Sequence, residues 1–372
     1  MVNGQRLINS FIKMTSINSV SGQEHEFRDY LRQEFARRGF RAEEDEAGTA
    51  TRGTSGNLLL KIPGTKDLPP LLFAAHMDTV EPGRNIKAII ENNEVIKSSG
   101  DTILGADDKA AIAALLESVD IIKENQLEYP PLEILLTVSE EQGLLGARNF
   151  DFSQLRSRFG YALDGGGEPG TVIIKSPCQN EIEYIAYGKA AHAGIDPENG
   201  LNAVKLAAVA LAQMPSGRID EETTCNFGVI QGGQARNIVP DHCVVRGEAR
   251  SLSREKLDGL TRKLQDHFIK SVTEGGGQGE VKVSFLYPQV SLKKDDEVVK
   301  LAAAAIESIG LPLRLMATGG GSDASIINAH IPCANLGIGM QDVHTTREHI
   351  LIKDLIDDVR LILAIIAEYC RL

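Results

Sequence analysis

The sequence predicts an α/β protein, a helix-flanked mixed and largely parallel sheet that carries an inserted ferredoxin-like α+β domain. Three observations carry this reading. Short apolar runs at 57–62, 71–76, 132–138, 159–163 and 171–175 alternate with a strong helical pattern over 108–124, as in a sheet covered by helices. From about residue 178 the order changes to β-α-β-β-α-β, the split βαβ arrangement. After residue 290 the chain returns to a helix, an apolar run and a final helix, as if the first domain resumed.

The elements follow in order. Two helices are expected over 3–16 and 22–38, the second opened by Ser21 with Glu24 three positions on, a capping-box pattern. Each apolar run that follows is bounded by Gly, Pro or Asp. In the second domain the alternating NEIEYIAYG is a strand and GLNAVKLAAVALAQM a helix. Strands near 224–232 and 242–250, a helix at 253–273 and a strand at 280–288 complete it, with TEGGGQGE as a turn rather than a linker. The last stretch reads as helix (DDEVVKLAAAAIESIG), Gly-rich turn (TGGGSDA), apolar run (CANLGIG) and an amphipathic helix over 352–371. Residues 1–177 and 291–372 then build one α/β domain, with 178–290 inserted into it.

The 372-residue chain is long enough for two cores, and its 42% apolar and 24% charged residues are those of an ordinary globular protein. Acidic residues outnumber basic ones by 51 to 39, for a net charge of −12, which argues against a nucleic-acid surface. Five cysteines without C-x-x-C spacing fit free thiols in a reducing compartment. The N-terminal segment lacks a basic stretch leading into an apolar one, and no later stretch has the roughly 18 apolar residues of a membrane span, so a cytoplasmic protein without a membrane partner is expected.

Candidate chemistry gathers where apolar runs end. LLFAAHMDTV ends in His76 and Asp78, whose spacing of two points both side chains one way on a strand. A metal-bound imidazole needs its second ring nitrogen held, which Asp78 could do, although an ordinary hydrogen-bonded strand end has the same pattern. Asp107 and Asp108 stand at the start of an Ala-rich helix, where Asp107 could reach a metal while Asp108 meets the helix end; a plain acidic cap is the alternative. LEILLTVSEEQG ends in Glu140 and Glu141, adjacent carboxylates that resist joint ionisation unless a cation compensates them. Asp164 ends FGYALDGGG, and His344 lies in MQDVHTTREH before the last helix. Two histidines and three carboxylates suit two zinc ions that share one carboxylate.

The segments HMDTV, GADDKA, SEEQGLLGA, LDGG, KAAHAG, ARNIVPD, GGGSDA and VHTTREH, in this order over essentially the whole chain, resemble the M20 family of metallopeptidases and its peptidase T-like branch. The resemblance implies that His76, Asp107 and Asp164 bind one zinc and Asp107, Glu141 and His344 the other, with Asp107 bridging and the Asp107–Asp108 peptide cis. It implies that Glu140 is the general base and that Asp78 steadies His76. In the inserted domain it implies that His192 serves the partner protomer's oxyanion across a homodimer formed through that domain, and that Asn237 and Arg250 hold the substrate. Arg250 suits a peptide carboxylate by bidentate pairing.

The expected activity is hydrolysis of the N-terminal amide bond of short peptides, tripeptides among them, with two Zn²⁺ per subunit and Co²⁺ or Mn²⁺ as substitutes. An N-acyl-amino-acid deacylase or a carboxypeptidase would use the same metal residues, and a dimeric peptide- or metal-binding protein without turnover is the reading from another class. The chain is shorter than typical of the branch and carries HTTREH in place of an HG-type turn, both of which bear on tripeptide preference. His25, His242, His267 and His330 lack a partner pattern and read as structural, and His349, five residues beyond His344, reads as a surface residue rather than a ligand.

Overall fold

The computed structural model describes residues 2–372. The chain divides into two units: one runs up to Lys175 and includes Ser291–Thr318 and Ser322–Leu372, the other comprises Ser176–Val290 with Gly319–Gly321. Gly321 packs closely against Tyr287 of the second unit. A Cβ there would lie 2.3 Å from the Tyr287 ring.

The first unit is built on four parallel strands in the order Leu132–Thr137, Leu71–His76, Gly160–Gly165 and Cys333–Gly337. Antiparallel strands flank them, Leu58–Ile62 and then Ala42–Glu44 on one side and Thr171–Ser176 on the other. Every residue of Leu71–His76 and Leu132–Thr137 is buried, which explains why these strands are apolar apart from Glu133 and the strand-end His76 and Thr137. The helix Ala106–Glu124 is buried around most of its circumference, and its alanines let Ile352–Tyr369 pack closely on it. Lys109 is fully buried on this helix, its ammonium donating to the Ile17 carbonyl at 2.7 Å and lying 4.7 Å from the Phe27 ring centre. Among the described residues no helix is long and apolar enough to cross a membrane.

The second unit is an antiparallel sheet whose main strands run Thr223–Gly232, His242–Ser251, Cys178–Tyr187 and Gln278–Tyr287, with Gly217–Arg218 at one edge. This is the ferredoxin-like order. The helices Ala203–Ala212 and Arg254–Glu274 cover it around a core that includes Ile182, Tyr184, Leu257 and Phe268.

Two local expectations change. The capping box does not cap: the helix starts at His25 with Glu24 making no side-chain cap, because the Ser21 hydroxyl donates to Asp78 and Glu24 accepts from the Gly22 N–H and from Ser139. Asp108 does not meet its helix end either. The helix start is broken at Asp107 and Asp108, Gly105 is the N-cap at φ 73°, and Asp108 Oδ2 accepts from the His76 main-chain N–H at 3.1 Å. A small sheet of Ala88–Glu91, Val95–Ser98, His349–Leu351 and Met340–Gln341 has no counterpart in the apolar pattern, since its strands are short and half exposed.

Candidate metal centre

Three of the parallel strands deliver functional groups at their carboxyl ends, where an open α/β sheet collects its ligands. His76 closes Leu71–His76, Asp164 lies near the end of Gly160–Gly165, and Glu140 and Glu141 follow Leu132–Thr137 in a tight turn. Asp107 comes from the broken start of the long helix, where its peptide bond to Asp108 is cis. His344 comes from the turn before the last helix, at φ 63°.

These groups meet. Asp107 Oδ1 lies 2.9 Å from His76 Nε2, and Oδ2 of the same carboxylate lies 3.3 Å from His344 Nε2. Asp164 Oδ1 is 3.9 Å from His76 Nε2, and Glu141 Oε1 is 2.8 Å from His344 Nε2. The ligand atoms of His76, Asp107 and Asp164 fall within 4.8 Å of one another, as do those of Asp107, Glu141 and His344; His76, Glu140 and Glu141 form a third such group. Tetrahedral zinc with bonds near 2.0–2.1 Å holds its ligand atoms roughly 3.3 Å apart, so this N/O donor set fits two such ions without large movement.

The electrostatics point the same way. Burial above all, with Asp164 beside it, pushes Glu140 well above the usual carboxylate range, and burial with Asp107 does the same to Asp164. Burial opposes charge on His76, but Asp107 and Asp78 raise it well above the usual imidazole range. Asp107 and then Glu141 push His344 up to about 10. Among protein groups alone, protons supply the positive charge that these buried carboxylates require, and divalent cations can replace them.

Asp78 is fully buried and acts chiefly on the neighbouring loop. Its Oδ1 accepts from the Glu140 main-chain N–H at 2.9 Å, and its Oδ2 accepts from the Glu141 N–H at 3.2 Å and the Ser21 hydroxyl at 2.6 Å. The nearest partner of His76 Nδ1 is the Asp78 carbonyl at 3.0 Å, with the carboxylate at 3.5 Å. Further groups hold the same loop. Glu24 accepts from the Ser139 N–H and hydroxyl, both at 3.1 Å. The Asn57 amide bridges the Val138 N–H and the Gly146 carbonyl, with Gly146 packed so tightly that a Cβ would lie 2.3 Å from the Val138 oxygen. Asp323, of the GGGSDA segment, accepts from the Thr137 hydroxyl, and burial pushes it up to about 6. Glu348 accepts main-chain N–H groups of the Asp107 loop. None of these contacts has a sequence pattern beyond a polar residue beside an apolar run.

His192, Asn237 and Arg250 belong to the second unit. The exposed His192 loop pairs with the Asn237 segment, where the Ala193 N–H donates to the Asn237 carbonyl at 2.9 Å. Arg250 stands apart on the strand His242–Ser251, its guanidinium held by both oxygens of Glu248 at 2.9 and 3.0 Å.

The sequence pattern of the peptidase dimerisation domain of M20 enzymes matches residues 178–275, and that of peptidase family M28 matches residues 57–196, the portion that carries every metal-type residue except His344. The Bacillus subtilis protein YqjE, described as uncharacterized, is 40% identical over 372 residues and covers both chains fully. The crystal structure of the aminopeptidase PepT from Bacillus cereus is 40% identical, with 99% of each chain covered and a TM-score of 0.89. That of a tripeptidase from Staphylococcus aureus is 38% identical over the whole of both chains, with a TM-score of 0.94.

Proposed function

The chain belongs to the M20 family of metallopeptidases, in its peptidase T-like branch, and is a hydrolase of peptide bonds; from that premise we propose a two-zinc aminopeptidase that releases the N-terminal residue of short peptides, tripeptides among them. One observation carries the two-metal reading: the two oxygens of Asp107 face different imidazoles, His76 and His344, and each side has a further carboxylate, Asp164 or Glu141. His76, Asp107 and Asp164 would hold one ion and Asp107, Glu141 and His344 the other. Bound there, the ions would polarise the scissile carbonyl and lower the pKa of water.

Glu140 supplies the proton transfers. It is buried and its main chain is fixed by Asp78, which places its carboxylate to take a proton from the attacking water and return it to the leaving amine. Glu140 also lies within ligand distance of His76 and Glu141; as base it needs that proximity to reach the same water. In the second unit, His192 would stabilise the oxyanion, while Asn237 and Arg250 would hold the peptide. The dimerisation-domain match at residues 178–275 supports a homodimer formed through the inserted domain; in such a dimer His192 would serve the partner protomer.

The test is hydrolysis of a matched panel of di- and tripeptides, N-blocked peptides and N-acyl amino acids by zinc-loaded and chelator-treated enzyme, with products identified by mass spectrometry. Release of the free N-terminal residue, lost on chelation, is expected. Cleavage confined to blocked or acylated substrates would move the function to a deacylase with the same metal residues. Glu140→Gln should keep its zinc and lose about 10²–10⁴-fold in kcat; unchanged turnover would remove Glu140 from the mechanism.

A further inference from the structure

Glu348 is completely buried, yet its carboxylate faces main chain rather than a cation. Oε2 accepts from the N–H groups of Leu104 and Gly105 at 2.7 and 2.8 Å, and Oε1 accepts from the N–H of Asp107 at 3.1 Å. Glu348 lies four residues after His344, in a turn stitched by its own local bonds: the Thr345 hydroxyl donates to the Asp342 carbonyl at 2.7 Å and the Glu348 N–H to the Thr345 carbonyl at 3.1 Å. One carboxylate therefore fastens the segment carrying His344 to the loop carrying Asp107.

The two ends of this tie differ in rigidity. His76, Asp164, Glu140 and Glu141 rise from adjacent strands of one sheet. His344 does not: it projects from a turn, its side chain is half exposed, and it meets Asp107 Oδ2 at 3.3 Å. The distance between the ligand atoms of the His344 site thus depends on how that turn is registered against residues 104–107. Three bonds from main-chain N–H groups offset part of the cost of burying the carboxylate and fix that register.

We propose that Glu348 is a positioning residue for the second metal site, the one formed by Asp107, Glu141 and His344; the proposal rests on the two-metal reading above. A glutamine at this position keeps one oxygen for Leu104 and Gly105 and sets an NH₂ against the Asp107 N–H, whereas alanine removes every bond. The loss should therefore be graded, and larger at the His344 site than at the other, which shares only Asp107 with it.

The experiment uses full-length wild type, Glu348→Gln and Glu348→Ala, stripped with chelator and titrated with Zn²⁺ by calorimetry, with bound zinc counted by plasma mass spectrometry. Circular dichroism and thermal melting of the stripped proteins report the fold. Wild type should take two equivalents. The variants should weaken one equivalent by about 10–100-fold and the other by clearly less, alanine more than glutamine. At limiting free zinc kcat should fall with occupancy and recover as zinc is raised, with KM unchanged. Two equivalents of wild-type affinity in Glu348→Ala would overturn the proposal. So would equal weakening of both sites together with a collapsed melting transition, which is what a merely structural residue produces. A wild type that takes fewer than two equivalents would fail the two-metal reading itself, and the role of Glu348 with it.

Discussion

Replacing Asp78 by alanine tests whether one carboxylate organises the ends of two strands. The side chain is fully buried and accepts from the Glu140 N–H, the Glu141 N–H and the Ser21 hydroxyl at 2.9, 3.2 and 2.6 Å. Hydrogen bonds to a charged acceptor contribute about 1.5–3 kcal/mol each, so three give roughly 4.5–9 kcal/mol gross. Water admitted to the space left by the carboxylate can satisfy some of the stranded donors, which brings the expected loss of stability to about 3–5 kcal/mol. The kinetic cost has a separate origin. Glu140 loses the bond that fixes its main chain, and a displacement of about 1 Å at a proton-transfer group is worth on the order of 10²-fold in rate. Asparagine keeps one oxygen for one of the two amides and should fall between. The assay is kcat and KM on one tripeptide at saturating zinc, with thermal midpoints measured with and without chelator. An alanine variant within twofold of wild-type kcat and with an unchanged midpoint would refute this account of Asp78.

Zinc affinity should rise with pH. His76 stands well above the ordinary imidazole range and His344 at about 10, so both carry protons at neutral pH that must leave before their nitrogens can bind metal. Apparent affinity should climb by up to tenfold per pH unit for each proton released, and calorimetry in buffers of different ionisation enthalpy should register that release; zinc uptake without it would contradict the protonation of these imidazoles in the metal-free protein. A second pH effect lies away from the site. Asp358 is buried in an apolar cavity lined by Ala111, Leu163 and Leu336, and neither of its oxygens has a partner among the described residues. Burial above all, then Asp354 and Asp357, raises it well above the usual carboxylate range. The folded state thus binds this proton more tightly than the unfolded chain, so the stability it contributes is full below the ordinary carboxylate range and is lost as pH rises through the folded-state value. Asp358→Asn should raise the thermal midpoint at about pH 8, by roughly 2 °C for each ~1 kcal/mol relieved, and the difference should close toward pH 4. A midpoint that falls at pH 8, or a difference that does not vary with pH, would count against the buried-carboxyl explanation.

What the sequence discloses and what it hides divide along the range of the interactions. His76, Asp164, Glu140 and Glu141 are legible because each ends an apolar run, and a buried strand that stops at a carboxylate or imidazole leaves a local mark. Asp107 is legible as an acidic residue at the head of an Ala-rich helix. The resemblance of His344 to a family position had to supply the rest, since its turn has no period. Ser21 and Glu24 show how a local rule misleads: the spacing fits a cap, but Ser21 donates to a buried carboxylate 57 residues away in sequence, and Glu24 accepts from the Gly22 N–H and from the Ser139 amide 115 residues away. Glu348 reaches across 241 to 244 positions to the Asp107 loop, and Asp323 across 186 to Thr137. Contacts of side chain to distant main chain follow neither the helical nor the strand period, so hydrophobic patterning does not reveal them.

The place of Cys333–Gly337 in the sheet bears on how the protein is made. This strand is parallel to Gly160–Gly165 and antiparallel to Thr171–Ser176, and so separates two strands that are near neighbours in sequence. Those two leave the ribosome together, in the orientation of a hairpin, long before the segment that belongs between them exists. The easiest early pairing is therefore a wrong one, and the nascent chain has to keep a slot open, or reopen it, until its C-terminal part arrives. His344 follows that late strand closely in sequence, so its meeting with Asp107 and Glu141 is also a sign that the slot has been filled.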